Sequence, residues 1–521
     1  MKLSRLLYSL AFAAVLVSAI SLSLAACTEN TSDAPAPPPV QKISILHFND
    51  FHGHLEPFKR HYKDTQAWGG LMRMATLVKR IRQENESKGI ETLFLSSGDT
   101  LQGSLLSTAF KGEAEFLALD KLGLTAMAVG NHEFDFGPER LFELERMVNF
   151  PLLSSNIHMR GGSGLLFKPY ELITGKNGLR IAIVGLTTAE TPITTLPENV
   201  EEFRFVEPEL AMQSYFDDVD RRSDLIILLS HLGRNIDEAI ARRYPETDII
   251  LGGHTHTLMA EPKIAGEVII SQAGDHGLYL GRLDIEIKKD RAFLLKHEMI
   301  PIKPDVPEDP ETKKFIQGYS DKLSAEYKRQ IGYSKVLLDG ERSNIRTKET
   351  NLGDLATDAM RNFTKTDVAL LNGGAIRDSI HPGPVLLENA MQAFPMNNKI
   401  FTMIISGEDL FKVLKHSIRG ITGLTADEQL GGFLQVSGLS FEVDKGIPKN
   451  ITVNGKRLVL YKSYKVATID FLAAGGDGYK QLLNADAKYN TGVMLHDLVI
   501  EHFKKHHTIY ESNSNKRIIR Q

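Results

Sequence analysis

Ala126-Met127-Ala128-Val129-Gly130-Asn131-His132-Glu133-Phe134-Asp135 sets a short apolar run directly before a dense group of side chains able to bind metal. A run this short reads as a buried strand, although periodicity alone leaves a short helix open. The same grammar recurs four more times. Asp50-Phe51-His52 follows the alternating stretch 42–48, and Gly98-Asp99 follows Thr92-Leu93-Phe94-Leu95-Ser96. Ser230-His231 follows 225–229, and Gly252-Gly253-His254-Thr255-His256 follows 248–251. A further apolar run covers 180–186, while 71–82 and 138–149 carry helical spacing. Strands alternating with helices predict α/β layers. The polar groups then collect beyond the carboxyl ends of the strands, where such sheets bind ligands.

A single histidine or aspartate at a strand end is usually satisfied by an ordinary hydrogen bond. The joint pattern is different: two carboxylates, one amide and four imidazoles in one predicted domain. Nitrogen and oxygen donors without thiolate suit Zn, Mn, Fe or Co. Two such ions can share a carboxylate, activate water between them and clamp a phosphate. The expected chemistry is metal-assisted phosphoester hydrolysis. His132 and Asp135 form a second constellation, because a turn after the strand brings that carboxylate to the imidazole, where it favours the charged ring.

At 521 residues the chain exceeds one compact core, so two domains are expected. A hydrophobic share of 42% excludes wholesale disorder, and a formal net charge of −4 offers no general attraction to nucleic acid. Lys2 and Arg5 precede an apolar stretch, 6–26, that ends in Leu24-Ala25-Ala26-Cys27. This reads as a secretory signal over 1–26, with Cys27 where a bacterial lipobox puts the lipidated residue; an uncleaved anchor is the plainer alternative. Cys27 is the only cysteine. Residues 27–41, with Pro35, Pro37, Pro38 and Pro39, read as a tether. The first domain is expected over 42–302, a linker and bridging helix over 303–332, and a second domain over 333–521. Within the linker, 311–330 carries Phe315, Tyr319, Leu323 and Tyr327 at a four-residue spacing, predicting one amphipathic helix.

The segments 45–53, Ser97-Gly98-Asp99, 129–135 and Gly253-His254-Thr255-His256 resemble the motifs of calcineurin-like metallophosphoesterases. Within these they resemble the 5′-nucleotidase family, and the resemblance extends from residue 42 across the second domain. It implies a four-layer α/β/β/α metallophosphoesterase domain followed by an α+β substrate domain. By the same resemblance Asp50, His52, Asp99 and His256 would hold one ion, and Asp99, Asn131, His231 and His254 the other. Some relatives carry Gln or Asn at the position of His256, where imidazole still ligates. His132 and Asp135 match a catalytic dyad, and His47 and His54 are expected to orient ligands or support structure.

Arg346 and the segment Asn372-Gly373-Gly374-Ala375-Ile376-Arg377 match family segments whose arginines hold the substrate phosphate, a task suited to the planar guanidinium. Phe471 and Asp477 match a ring stacked on the nucleobase and a carboxylate on the ribose. In Ala393-Phe394-Pro395-Met396-Asn397-Asn398, Met396 replaces a second aromatic clamp while Asn398 keeps its polar position, predicting broader base selectivity. The expected activity is a lipid-anchored 5′-nucleotidase with two divalent ions. The rivals are a 2′,3′-cyclic nucleotide phosphodiesterase, a UDP-sugar hydrolase and a non-catalytic nucleotide-binding lipoprotein. The expected partners are a nucleotide and, through Cys27, a membrane facing the periplasm or cell exterior.

Overall fold

The computed structural model describes residues 41–60, 64–162, 164–288, 291–323, 325–421, 431–510 and 516–520. The expected signal sequence, Cys27 and nearly all of the expected tether lie outside the described residues. Among the described residues no helix is long and apolar enough to cross a membrane.

Alternation within the first strand explains the layering of the first domain. In Gln41–Phe48, Ile43 and Ile45 point into one apolar cluster while Leu46 and Phe48 point into another. Neighbouring Glu91–Ser96 repeats this, with Leu93 and Leu95 on the first side and Phe94 on the second. Side chains alternate across a strand, so a sheet with both faces apolar must be covered on both. Facing it is a second sheet whose strand Arg180–Thr187 sends Ile181 and Ile183 inward and Ala182 and Val184 outward.

Two six-stranded sheets therefore sandwich one core, and helices cover their outer faces. In the first sheet Gln41–Phe48, Glu91–Ser96 and Ala126–Ala128 run parallel. In the second, Leu225–His231 and Ile249–Leu251 do the same. Helices Leu71–Glu86 and Pro138–Met147 cover the first sheet, and Phe216–Arg222 and Arg234–Arg243 the second. Each isoleucine or leucine buried here contributes about 1.5–3 kcal/mol.

The second domain wraps one continuous apolar cluster around the five-stranded sheet containing Val368–Asn372, Lys399–Ser406 and Ser463–Ile469. Helices Asn351–Thr364, Gly407–Ser417 and Leu495–His506 pack on it. The chain is thus α/β throughout, in two domains.

The single helix expected over 311–330 is corrected. The structure has an α-helix at Pro310–Ser320 and a separate 3₁₀ turn at Ala325–Lys328. Asp309 caps the helix start by accepting from Thr312 N, with Pro310 at the first position. At its end the Ser320 hydroxyl donates its proton to Glu56 Oε1 at 2.8 Å, with Ile316 O the more distant acceptor at 3.4 Å. Ile316 and Tyr319 are buried in the first domain's outer cluster, so this helix belongs to that domain's surface.

Candidate active site

All five polar clusters meet at one end of the sandwich. Backbone bonds extend the strand pairing into the loops: Asp50 N donates to Gly98 O at 3.0 Å, His52 N to Asp99 O at 3.0 Å, and Gly53 N to Thr100 O at 2.9 Å. In this packing Asp50, His52, Asp99, His254 and His256 adopt left-handed backbone angles, with φ of 48°, 50°, 53°, 74° and 58°. Non-glycine residues rarely hold such angles, and they cluster at sites that over-determine them. Two glycines permit the crowding. A Cβ on Gly130 would lie 2.3 Å from Asp99 Oδ1, and one on Gly253 2.9 Å from His231 Nδ1.

The side chains form two groups. Asp50, His52 and His256 converge in one, and Asp99, His231 and His254 in the other, with Asp99 also within reach of His52. His52 gives its Nδ1 proton to Gln102 O at 3.0 Å, His231 to Ser97 O at 2.7 Å, and His256 to Asp275 Oδ2 at 2.7 Å. A neutral imidazole carries one proton, so the rings of His52 and His256 present a bare Nε2 lone pair to the centre. His52 Nε2 and His256 Nε2 lie 3.2 Å apart, and His231 Nε2 lies 3.1 Å from Asp99 Oδ2 without the alignment of a hydrogen bond. His254 Nδ1 is 3.1 Å from Asn131 Oδ1. The facing lone pairs of His52 and His256 are unfavourable unless a cation lies between them. This donor set fits divalent metal.

The field agrees. Burial alone would raise Asp99, but His231 and His132 overcome it and hold that carboxyl well below the usual range. Against burial, the same carboxylate lifts His231 to about 10. Burial and then His231 push His254 down to about 3.

His132 Nδ1 meets Asp135 Oδ2 at 2.6 Å, so the two residues form the expected pair. Burial opposes the charged ring, yet Asp135 and Asp99 raise its pKa. From the second domain, Arg377 Nη2 comes within 3.3 Å of His132 Nε2. Both face a cavity of ≈ 980 Å³ that Arg346, Asn372, Met396, Asn398, Phe471 and Asp477 also line. Asn372 Nδ2 donates to Asp477 Oδ2 at 2.7 Å. Gly476 leaves room for the Phe471 ring, which a Cβ there would approach to 2.5 Å.

The profile of the calcineurin-like phosphoesterase family matches residues 43–258, and that of the 5′-nucleotidase C-terminal domain matches 330–484. The chain belongs to the 5′-nucleotidase family of calcineurin-like metallophosphoesterases. It is 29% identical to a 5′-nucleotidase of Vibrio cholerae, over 92% of this chain and 93% of the relative. Protein UshA of Escherichia coli is 28% identical over 89% of this chain and 91% of its own. The crystal structure of a 5′-nucleotidase precursor from Thermus thermophilus superposes with a TM-score of 0.84 at 29% identity, covering 92% of this chain and 99% of that one. Family membership makes the chain a metal-dependent phosphoester hydrolase.

The structure brings together, at this end of the sandwich and along the adjoining cavity, the candidate ligands, the His132–Asp135 pair and the candidate substrate contacts. His47 and His54 are kept from the centre: His47 Nε2 bonds Ser271 Oγ between the sheets at 3.2 Å, and His54 stacks on His276 at 4.2 Å. Three further side chains at this site were not singled out from the sequence. Arg342, half-buried, lies one helical turn before Arg346 and lines the cavity. Burial depresses Arg342 to about 10, and for Arg346 burial is reinforced by the other two arginines. The i, i+4 arginine spacing was the available signal. Glu133 accepts from Gly130 N at 2.7 Å, Asp99 N at 2.9 Å and Thr100 N at 2.7 Å, fixing the loop that carries Asp99. Burial and Asp99 push its carboxyl up to about 7. Asp275, which bonds His256, had no signal in the sequence.

Proposed function

We propose that the chain is an exported, lipid-anchored 5′-nucleotidase that works with two divalent ions and releases phosphate from nucleoside 5′-monophosphates. One observation carries this reading. Metal-competent groups, a histidine–aspartate pair, three arginines and a nucleoside-sized set of apolar and polar side chains all line the same cavity. Asp50, His52, Asp99 and His256 would hold one ion, and Asp99, Asn131, His231 and His254 would hold the other. When bound, such ions polarise phosphoryl oxygens and ease deprotonation of water.

The remaining steps fall to the chain's own residues. Arg342, Arg346 and Arg377 bind the phosphate, whose charge relieves the crowding of three neighbouring guanidiniums. Asp135 holds His132 through Nδ1, leaving Nε2 aimed at the substrate. From there His132 hands a proton to the departing 5′-oxygen, help worth about 10²–10⁴ in rate. Asp477 and Asn372 take the ribose hydroxyls, while Phe471 and Met396 take the base.

A phosphate-release panel of AMP, UMP, UDP-glucose and 2′,3′-cyclic nucleotides tests the assignment. The 5′-monophosphates should give the highest kcat/KM; a clear preference for another member overturns it. The roominess of the cavity favours a nucleoside diphosphate sugar as the second reading. Anchoring rests on Leu24-Ala25-Ala26-Cys27, so Cys27→Ser should move the protein out of the membrane fraction. Lipidated Cys27→Ser protein would refute it.

A further inference from the structure

The Asp135 carboxylate is held from both sides. Its Oδ2 takes His132 Nδ1 at 2.6 Å, and its Oδ1 takes the hydroxyl of Thr195 at 2.7 Å. Thr195 is 2% exposed, so little water competes for that hydroxyl. A carboxylate bonded through one oxygen still swings about its last torsion, which is broad for aspartate. Bonding both oxygens removes that freedom and fixes the plane in which the imidazole is presented.

The segment that supplies Thr195 also touches two other parts of the site. It follows directly on the turn Thr191–Thr194, where Thr195 N donates to Thr191 O at 3.1 Å. Thr194 O accepts from Asn131 Nδ2 at 3.5 Å. The same turn packs against Gly476–Gly478 of the second domain, the segment carrying Asp477.

We propose that Thr195 is a positioning residue, whose hydroxyl locks Asp135 and through it the ring of His132, tying the dyad to a turn that rests on the nucleoside-binding domain. This rests on the reading of His132 as proton donor to the leaving oxygen. Groups that orient an active side chain from behind typically change function by 10–100-fold, and a neutral hydroxyl belongs at the lower end.

The test compares AMP with p-nitrophenyl phosphate, whose phenolate departs without needing a proton. Thr195→Val keeps the shape and deletes the hydroxyl. On AMP it should lower kcat about tenfold with KM within twofold, on the nitrophenyl ester kcat should fall less than twofold, and Thr195→Ser should restore AMP turnover. Unaltered AMP turnover in Thr195→Val, equal losses on both esters, or no rescue by serine would each overturn the proposal. Thr195→Ala reads the same contrast should the valine variant fail to fold. His132→Ala, run alongside, separates the two claims. If its loss is confined to AMP while the Thr195 variants are silent, only the positioning role fails; if its loss is equal on both esters, the proton-donor reading itself fails and takes the positioning role with it.

Discussion

Replacing Glu133 with glutamine changes one oxygen for an NH2 group and leaves the shape intact. Oε2 accepts from Gly130 N at 2.7 Å and Asp99 N at 2.9 Å, and Oε1 from Thr100 N at 2.7 Å and Leu101 N at 3.4 Å. Either orientation of the amide therefore turns a donor toward donors. The cheaper choice faces Thr100 and Leu101, because the bond to Leu101 is long. One strongly bonded buried donor is then orphaned, costing about 1–3 kcal/mol, and the surviving pair loses the strength of a charged acceptor. The sum is about 3 kcal/mol. Since the carboxyl titrates near 7, the comparison belongs at pH 8, where the wild-type group is ionised. Urea unfolding of both proteins measures the difference, and metal content after dialysis measures its consequence. E133Q should also lose metal, because the orphaned Thr100 N lies next to Asp99 in the loop that carries this carboxylate. Stability within about 0.5 kcal/mol of wild type, with both ions retained, would refute the role given to this carboxylate.

Arg342→Ala should raise KM for AMP and cut kcat/KM by about 10–100-fold, the worth of one charged hydrogen bond to phosphate; a change below threefold in steady-state assays would remove Arg342 from the phosphate site. Both oxygens of Glu115 are buried, and burial, only partly offset by Ser107, pushes its carboxyl up to about 7. The folded state thus holds this proton more tightly than the unfolded chain, so its stabilisation is full below about pH 4 and lost as pH rises through 7. Glu115→Gln should gain about 2–3 kcal/mol at pH 8 and nearly nothing at pH 4 in denaturant titrations; a gain independent of pH counts against it. Met396→Phe should lower KM for purine nucleotides by giving the base a second plate, and an unchanged or higher KM tells against stacking there. Chelation should abolish turnover and lower the melting temperature by the linkage of lost ions, with circular dichroism unchanged at 25 °C and activity returning on adding metal; unfolding on chelation would contradict a site formed in advance.

The local half of this architecture was legible in the sequence. Apolar runs ending in Asp, Asn or His marked the strands, since period-two burial and a polar strand end leave a direct trace. The pair His132 and Asp135 was legible because three residues and one turn join them. The bridging helix was read too long: its aromatic spacing continues beyond Ser320, but the buried residues of the α-helix stop at Tyr319. What stayed hidden depends on distant parts of the chain. His256 and Asp275, or His132 and Arg377, meet only because the fold brings loops and domains together. Strand order was equally silent, as Gln41–Phe48 lies between Glu91–Ser96 and Tyr279–Ile287.

The left-handed backbone at Asp50, His52, Asp99, His254 and His256 bears on metal economy. Those conformations are imposed by the strand ladder and by glycines packed against it, so the donors are aimed before any ion arrives. An ion then enters a finished socket and orders little chain, and its own preferences for size and softness find few adjustable parts to reward. Nitrogen and oxygen donors of this kind discriminate weakly among late first-row ions except by their general order of affinity. It follows that ions of similar size and coordination preference should replace one another in the same folded molecule without refolding.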